Sequence, residues 1–108
     1  MIGRPLPDRA PVVIIGGGVI GTSTLYHLAK RGVEGAVLLE RKQLASGTTW
    51  HAAGIVGQLR ESGAQTELSK YTARLFTELE AETGQATGYK QNGTTHLALS
   101  ETRLEQLR

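Results

Sequence analysis

Val12-Val13-Ile14-Ile15-Gly16-Gly17-Gly18-Val19-Ile20-Gly21 is the stretch that decides the fold. Four consecutive apolar β-branched residues run straight into a glycine cluster. Such a run reads as a strand buried on both faces, as in a parallel sheet. The glycines then satisfy G-x-G-x-x-G, whose spacing has a physical basis. Gly16 permits the tight turn from strand to helix. Gly18 lets main chain approach a diphosphate with no Cβ between them. Gly21 lets the helix pack close to the strand. The helix start supplies free N–H groups and a partial positive charge to phosphate oxygens, so Val19 and Ile20 belong to the same candidate site.

Working outward, Gly21 to Arg31 reads as that helix. Gly21, Leu25, Leu28 and Ala29 form one buried stripe. Lys30 and Arg31 suit the negative end of the helix dipole, and Gly32 is placed to end it. Ala36-Val37-Leu38-Leu39 is a second apolar run, read as a strand and closed by Glu40. Strand, helix and strand fit in about 30 residues, the length of a right-handed βαβ unit. Glu40 stands 19 positions after Gly21, where an acidic side chain accepts hydrogen bonds from ribose hydroxyls. A 2′-phosphate beside Glu40 would meet repulsion, softened by Arg41, so NADP is disfavoured. The fingerprint alone leaves FAD and NAD both open.

The loop Leu44-Ala45-Ser46-Gly47-Thr48-Thr49-Trp50-His51-Ala52-Ala53-Gly54 separates those two. Ser46, Thr48 and Thr49 offer hydroxyls for phosphate or ribitol contacts. Ala52, Ala53 and Gly54 are small enough to admit a flat ring. Trp50 reads as a filler of core space. From the residues alone, His51 reads as a structural histidine that hydrogen-bonds its own loop.

With Val13-Ile14-Ile15-Gly16-Gly17-Gly18, Leu39-Glu40-Arg41 and Ser46 to Gly54 in place, the sequence resembles the D-amino-acid-oxidase-like flavoprotein superfamily. Within it, the chain is similar to the sarcosine and dimethylglycine dehydrogenases. Gln58-Leu59-Arg60, Glu80 to Gly84 and Gln91-Asn92-Gly93 extend the likeness across residues 12–108. The resemblance implies FAD as cofactor. It implies a small N-methyl amino acid as substrate, oxidised by hydride transfer from a C–H beside nitrogen to flavin N5. It further implies that His51, in its Trp-His-Ala-Ala-Gly context, is the covalent attachment point of FAD. Tetrahydrofolate and an electron-transfer acceptor would be engaged by later domains. The cofactor-binding set expected on both grounds is Gly16, Gly18, Val19, Ile20, Gly21, Glu40, Arg41, Ser46, Thr48, Thr49, His51 and Ala53, with no catalytic residue assigned. A non-catalytic, flavin-binding regulatory relative is a second reading. An NAD-dependent dehydrogenase sharing only the βαβ unit is a third, disfavoured by the Ser46–Gly54 loop.

Further along, Thr66 to Thr83 reads as a helix on Leu68, Tyr71, Leu75 and Leu79, ended by Gly84. Asn92-Gly93 signals a hairpin, with Thr95 to Leu99 as its second strand. Ser100 caps a helix from Glu101 to Arg108. Arg60 reads as a solvated arginine before it reads as a clamp on a substrate carboxylate, and His27 and His96 as satisfied or surface histidines. The expected class is α/β: a Rossmann-like βαβ beginning of a doubly wound FAD domain, then the start of an antiparallel substrate domain. The expected division is a disordered lead-in over residues 1–11, the FAD-binding part over 12–84, and the substrate part over 85–108. One βαβ unit leaves sheet faces bare, so the chain is expected to be a piece of a longer enzyme, inactive by itself.

Composition agrees. Fourteen glycines in 108 residues make about 13%, against roughly 7% in average proteins, and they gather where turns are expected. The formal net charge of +2 is spread along the chain without a basic run or stacking aromatics, which argues against nucleic acid as a partner. With no cysteine, disulfides, thiolate metal sites and thiol nucleophiles are excluded within this stretch. No apolar run approaches a membrane span. The expected compartment is bacterial cytoplasm or mitochondrial matrix.

Overall fold

A computed structural model of the chain describes residues 5–108. These divide into two compact units, one ending at Gly54 and one running from Ile55 to Arg108.

The first unit is the βαβ motif. Strand β1 (Val13–Ile15) and strand β2 (Val37–Leu39) pair in parallel, with Val13 opposite Val37 and Ile15 opposite Leu39. Helix α1 (Val19–Lys30) makes the crossover and packs on both strands. It opens two residues earlier than the apolar stripe suggested, with Gly18 as its N-cap. Its end is a Schellman motif. Gly32 takes φ +80°, its N–H donates to the Ala29 carbonyl, and the Val33 N–H donates to the Leu28 carbonyl. The glycine therefore sits one position past the cap residue, Arg31.

The expectation that β1 is buried on both faces is not met. Ile14 is half-buried, but Val13 is 52% and Ile15 87% exposed. The reason is geometric: α1 covers one face of a two-stranded sheet, and a strand's side chains alternate between faces. Ala29, expected in the buried stripe of α1, is exposed too. The lead-in expected over residues 1–11 lies partly outside the described residues. Its described part, from Pro5, contains neither helix nor strand.

The second unit is built on helix α2 (Gly63–Thr83). It starts three residues before the expected Thr66 because the Ser62 side chain caps it, accepting from the Gln65 N–H at 3.3 Å. It ends at Gly84, whose φ of +68° reverses the chain. Ala73, on α2, is the one buried apolar side chain among the described residues. The segment after Gly84 folds back along the helix. The N–H and Oγ1 of Thr87 both donate to Glu80 Oε1 at 2.7 Å, and Tyr89 stacks on Phe76 with ring centroids 5.8 Å apart. The two Thr87 hydrogen bonds, that of its hydroxyl first, hold the Glu80 carboxyl below its ordinary pKa.

The hairpin expected at Asn92-Gly93 does not form strands. Gly93 has the left-handed φ of a turn, +80°, yet residues 85–99 make no strand pairing. Leu97 and Leu99 are 80% and 94% exposed, and an isolated hairpin without a surface to cover is marginal in water. The boundary expected between residues 84 and 85 falls inside this unit. Helix α3 (Glu101–Gln106) follows, with Ser100 capping it as expected through the Arg103 N–H. No helix among the described residues is long and apolar enough to cross a membrane.

Candidate functional site

The turn from β1 to α1 is shaped by four glycines, each for a different reason. Gly16 has φ +107° with open space around it, so conformation is what demands glycine there. Gly21 sits where the helix crosses the strand. A Cβ on it would collide with the Gly16 carbonyl oxygen and stand 3.3 Å from Ile14 Cγ2. The close helix–strand approach expected of this position is therefore present. A Cβ on Gly18 would lie 3.1 Å from Thr49 Oγ1. At Gly17, the unconstrained position of the motif, a Cβ would meet the flexible tip of Leu44, Cδ2, at 2.6 Å and Glu40 Cβ at 3.0 Å. The motif assigns Gly17 no role, and the signal for one lies in residues more than twenty positions away.

Glu40 reaches back from the end of β2 to this turn. Its Oε2 accepts from the Gly17 N–H at 2.7 Å and its Oε1 from the Lys42 N–H at 2.8 Å. Those N–H groups, Gly17 first, hold the carboxyl below its ordinary pKa, and the Arg41 charge adds slightly. Each carboxylate oxygen keeps a further lone pair, so the anchored group can still accept from a ligand hydroxyl.

The loop after β2 is fastened to the same turn. The Ala45 N–H donates to the Gly17 carbonyl at 2.9 Å, with Ala45 at φ +61°, a left-handed conformation uncommon outside glycine. A 3-10 turn, Thr48–His51, follows. From it, Thr49 Oγ1 accepts the N–H of Val19 at 2.9 Å, capping a helix whose own N-cap is a glycine with no side chain to offer. The Ser46 hydroxyl donates to the Gln43 carbonyl at 2.7 Å, which commits its proton inside the loop.

Together these parts enclose an open cleft of about 690 Å³. Ten of the twelve expected site residues line it: Gly16, Gly18, Val19, Ile20, Gly21, Glu40, Arg41, Ser46, Thr48 and Thr49. Lys42, Thr24, Gly47 and Ala52 line it as well. Lys42 could have been found from sequence as the second cation after Glu40. His51 and Ala53 are not in the lining. His51 is exposed, and its Nδ1 lies 3.2 Å from the Gly47 carbonyl oxygen. A carbonyl only accepts, so Nδ1 carries the hydrogen and Nε2 the lone pair in that contact. The expected core role of Trp50 is overturned: it is 79% exposed, because it projects from a single-turn helix with nothing packed over it. His27 is satisfied within α1 as expected, its Nδ1 2.7 Å from the Ser23 carbonyl. Among the described residues, no group of acidic and histidine side chains could hold a metal ion.

The chain is similar to several known proteins. The chain is 56% identical over 104 residues to the protein named sarcosine dehydrogenase, mitochondrial, of Homo sapiens, covering 95% of this chain and 11% of that one. It is 45% identical to the pyruvate dehydrogenase phosphatase regulatory subunit, mitochondrial, of Mus musculus, covering 95% and 12%. To dimethylglycine dehydrogenase, mitochondrial, of Homo sapiens, it is 42% identical, covering 94% and 12%. The chain thus spans about a tenth of the length of these relatives. Among solved structures, glycine oxidase from Bacillus cereus ATCC 14579 superposes with a TM-score of 0.68 at 32% identity, covering 91% of this chain and 28% of that one. The family model described as DAO, FAD dependent oxidoreductase, matches residues 11–108. The chain belongs to this family of FAD-dependent oxidoreductases.

Proposed function

We propose that this chain supplies the ADP-binding part of a flavin-dependent dehydrogenase or oxidase acting on an N-methyl amino acid of the sarcosine or dimethylglycine type. The observation that carries the reading is the single cleft on which bare glycine main chain, the start of α1 and the anchored Glu40 carboxylate all open. This donor set fits the group. The main chain from Gly16 to Gly18 and the positive end of α1 would receive the diphosphate. Arg41 and Lys42 add positive charge on the same cleft. The spare lone pairs of Glu40 would take the ribose hydroxyls. Thr48 would face the part of the cofactor between phosphate and ring, and the small Ala52 and Ala53 leave room for the ring. Hydride acceptance from a C–H beside nitrogen is the chemistry that FAD supplies when bound.

His51 is the proposed point of covalent attachment. Its Nδ1 contact with the Gly47 carbonyl leaves the Nε2 lone pair as the nucleophile. Support for the substrate class comes from relatives named for sarcosine and dimethylglycine. Tetrahydrofolate and an electron-transfer acceptor are the proposed further partners, and the mitochondrial names of the relatives support a mitochondrial matrix location. We hold the 108 residues alone to be inactive, because they span only about a tenth of the length of the sarcosine and dimethylglycine enzymes.

One experiment tests both cofactor claims. The intact protein is precipitated with acid and run on a denaturing gel. Flavin fluorescence in the band, lost in His51→Ala, is the expected result. Yellow colour that leaves with the supernatant refutes attachment and keeps FAD binding. A colourless protein refutes the whole reading. The 45% identity to a regulatory subunit favours a second, non-catalytic reading. Bleaching of the flavin by sarcosine or dimethylglycine under anaerobic conditions supports the enzyme, and an unchanged spectrum with both supports the regulator.

A further inference from the structure

We infer that Thr49 is a positioning residue, a strut that sets the loop at residues 44–54 against α1 so that the cleft accepts FAD in preference to its ADP half. The inference rests on the FAD reading above.

Three observations converge on Thr49. Its Oγ1 accepts the Val19 N–H at 2.9 Å across 30 residues of sequence. That bond ties the 3-10 turn directly to the helix start. Gly18 leaves the space in which the threonine hydroxyl sits, since a Cβ there would come within 3.1 Å of it. The near end of the same loop is pinned at Gly17 by the Ala45 N–H, at the cost of a left-handed Ala45. The loop is thus fastened to the β1–α1 turn twice, at Ala45 and at Thr49. Ala52 follows the turn directly, its N–H donating to the Thr49 carbonyl, and it lines the cleft. Ala52, which opens the small-residue run Ala52-Ala53-Gly54, therefore takes its position from Thr49.

The arrangement separates two roles. ADP needs the glycine turn, the helix start and Glu40, and of these Thr49 touches only the helix start, where it occupies the Val19 N–H. The Val19 N–H is the one donor that Thr49 withholds from a phosphate. The flavin half needs the loop to stay in place. Removing the hydroxyl frees a donor for the diphosphate and releases the loop, so the affinities for ADP and FAD move apart.

The test uses the intact protein as apoprotein, in a His51→Ala background where FAD exchanges freely. FAD and ADP are each titrated by equilibrium dialysis against protein with Thr49, Thr49→Val and Thr49→Ser. Thr49→Val is expected to lose about tenfold in FAD affinity, the scale of one hydrogen bond, with ADP affinity unchanged or higher. Thr49→Ser is expected to keep both. Equal losses for both ligands in Thr49→Val would mean plain destabilisation and overturn the inference. A loss for ADP alone would mean direct phosphate contact and overturn it too, as would no loss at all, or Thr49→Ser behaving like Thr49→Val. Should the protein with Thr49 intact bind neither ligand, the failure belongs to the FAD reading itself.

Discussion

Gly21→Ala sets two physical effects of opposite sign against each other. Gly21 lies inside α1, where replacing glycine by alanine favours the helix by about 1 kcal/mol. The added methyl would be driven into the Gly16 carbonyl oxygen and would press on Ile14 Cγ2, 3.3 Å away. A flexible side chain could swing aside, but the carbonyl is main chain at the tight turn and cannot. Relief requires α1 to retreat from β1. Overpacking of this kind costs about 1–3 kcal/mol, and a main-chain obstacle places it near the upper end. The net expectation is a loss of about 2 kcal/mol, together with a misplaced helix start and weakened cofactor binding. Gly63→Ala is the control. Gly63 begins α2, has open space around it and needs no left-handed φ. There propensity acts alone, with a gain of up to about 1 kcal/mol. Thermal midpoints of the intact protein, read from the rise in flavin fluorescence on unfolding, should fall for Gly21→Ala and hold or rise for Gly63→Ala. Gly21→Ala with a midpoint at or above that of the parent would refute the close-packing argument.

Three other outcomes follow from the geometry. The folded Glu40 carboxyl is held below its ordinary pKa by the Gly17 and Lys42 N–H groups, so its stabilising effect is complete above the unfolded carboxylate range and vanishes as pH falls through the folded value. The midpoint gap between parent and Glu40→Gln should therefore be constant near neutrality and close on acidification; a gap that widens as pH falls contradicts the anchor. Ser62→Ala removes the cap of α2 and should cost about 1 kcal/mol, with faster amide exchange at Gln65; unchanged exchange there would dismiss the cap. His51→Ala should abolish gel-stable flavin fluorescence while leaving acid-extractable FAD in the protein.

The βαβ unit was legible because its information is local. A β-branched run, a glycine turn, an apolar stripe and a second run specify one another within about 30 residues. What sequence pattern could not supply came from contacts between distant residues. Gly17 is an unspecified letter in the fingerprint, yet a Cβ there would press on Leu44 and Glu40. Ser46 was expected to present its hydroxyl to a ligand, but the Gln43 carbonyl takes its proton. Thr49, expected to contact the cofactor, lines the cleft and also accepts the first amide of α1, a second role that no local pattern signals. Helix α2 begins three residues ahead of its apolar spacing because Ser62 supplies a cap, which periodicity does not encode. The exposure of Ile15 and Trp50 was beyond periodicity altogether, since hydrophobic pattern identifies a face to be covered and is silent on whether the cover is present.

The register of the two strands bears on the order in which the molecule assembles. Val13 pairs with Val37, a span of 24 residues, and short loops are the quickest to close. During synthesis the cradle can thus click shut within seconds of Leu39 leaving the ribosome, at chain growth of about 5–20 residues per second. Ile15 and Ile20 are then bare to solvent. A nascent chain in that condition presents a greasy ledge to holdase chaperones, and mutations that slow the masking of that ledge would show up as aggregation long before they altered any cofactor.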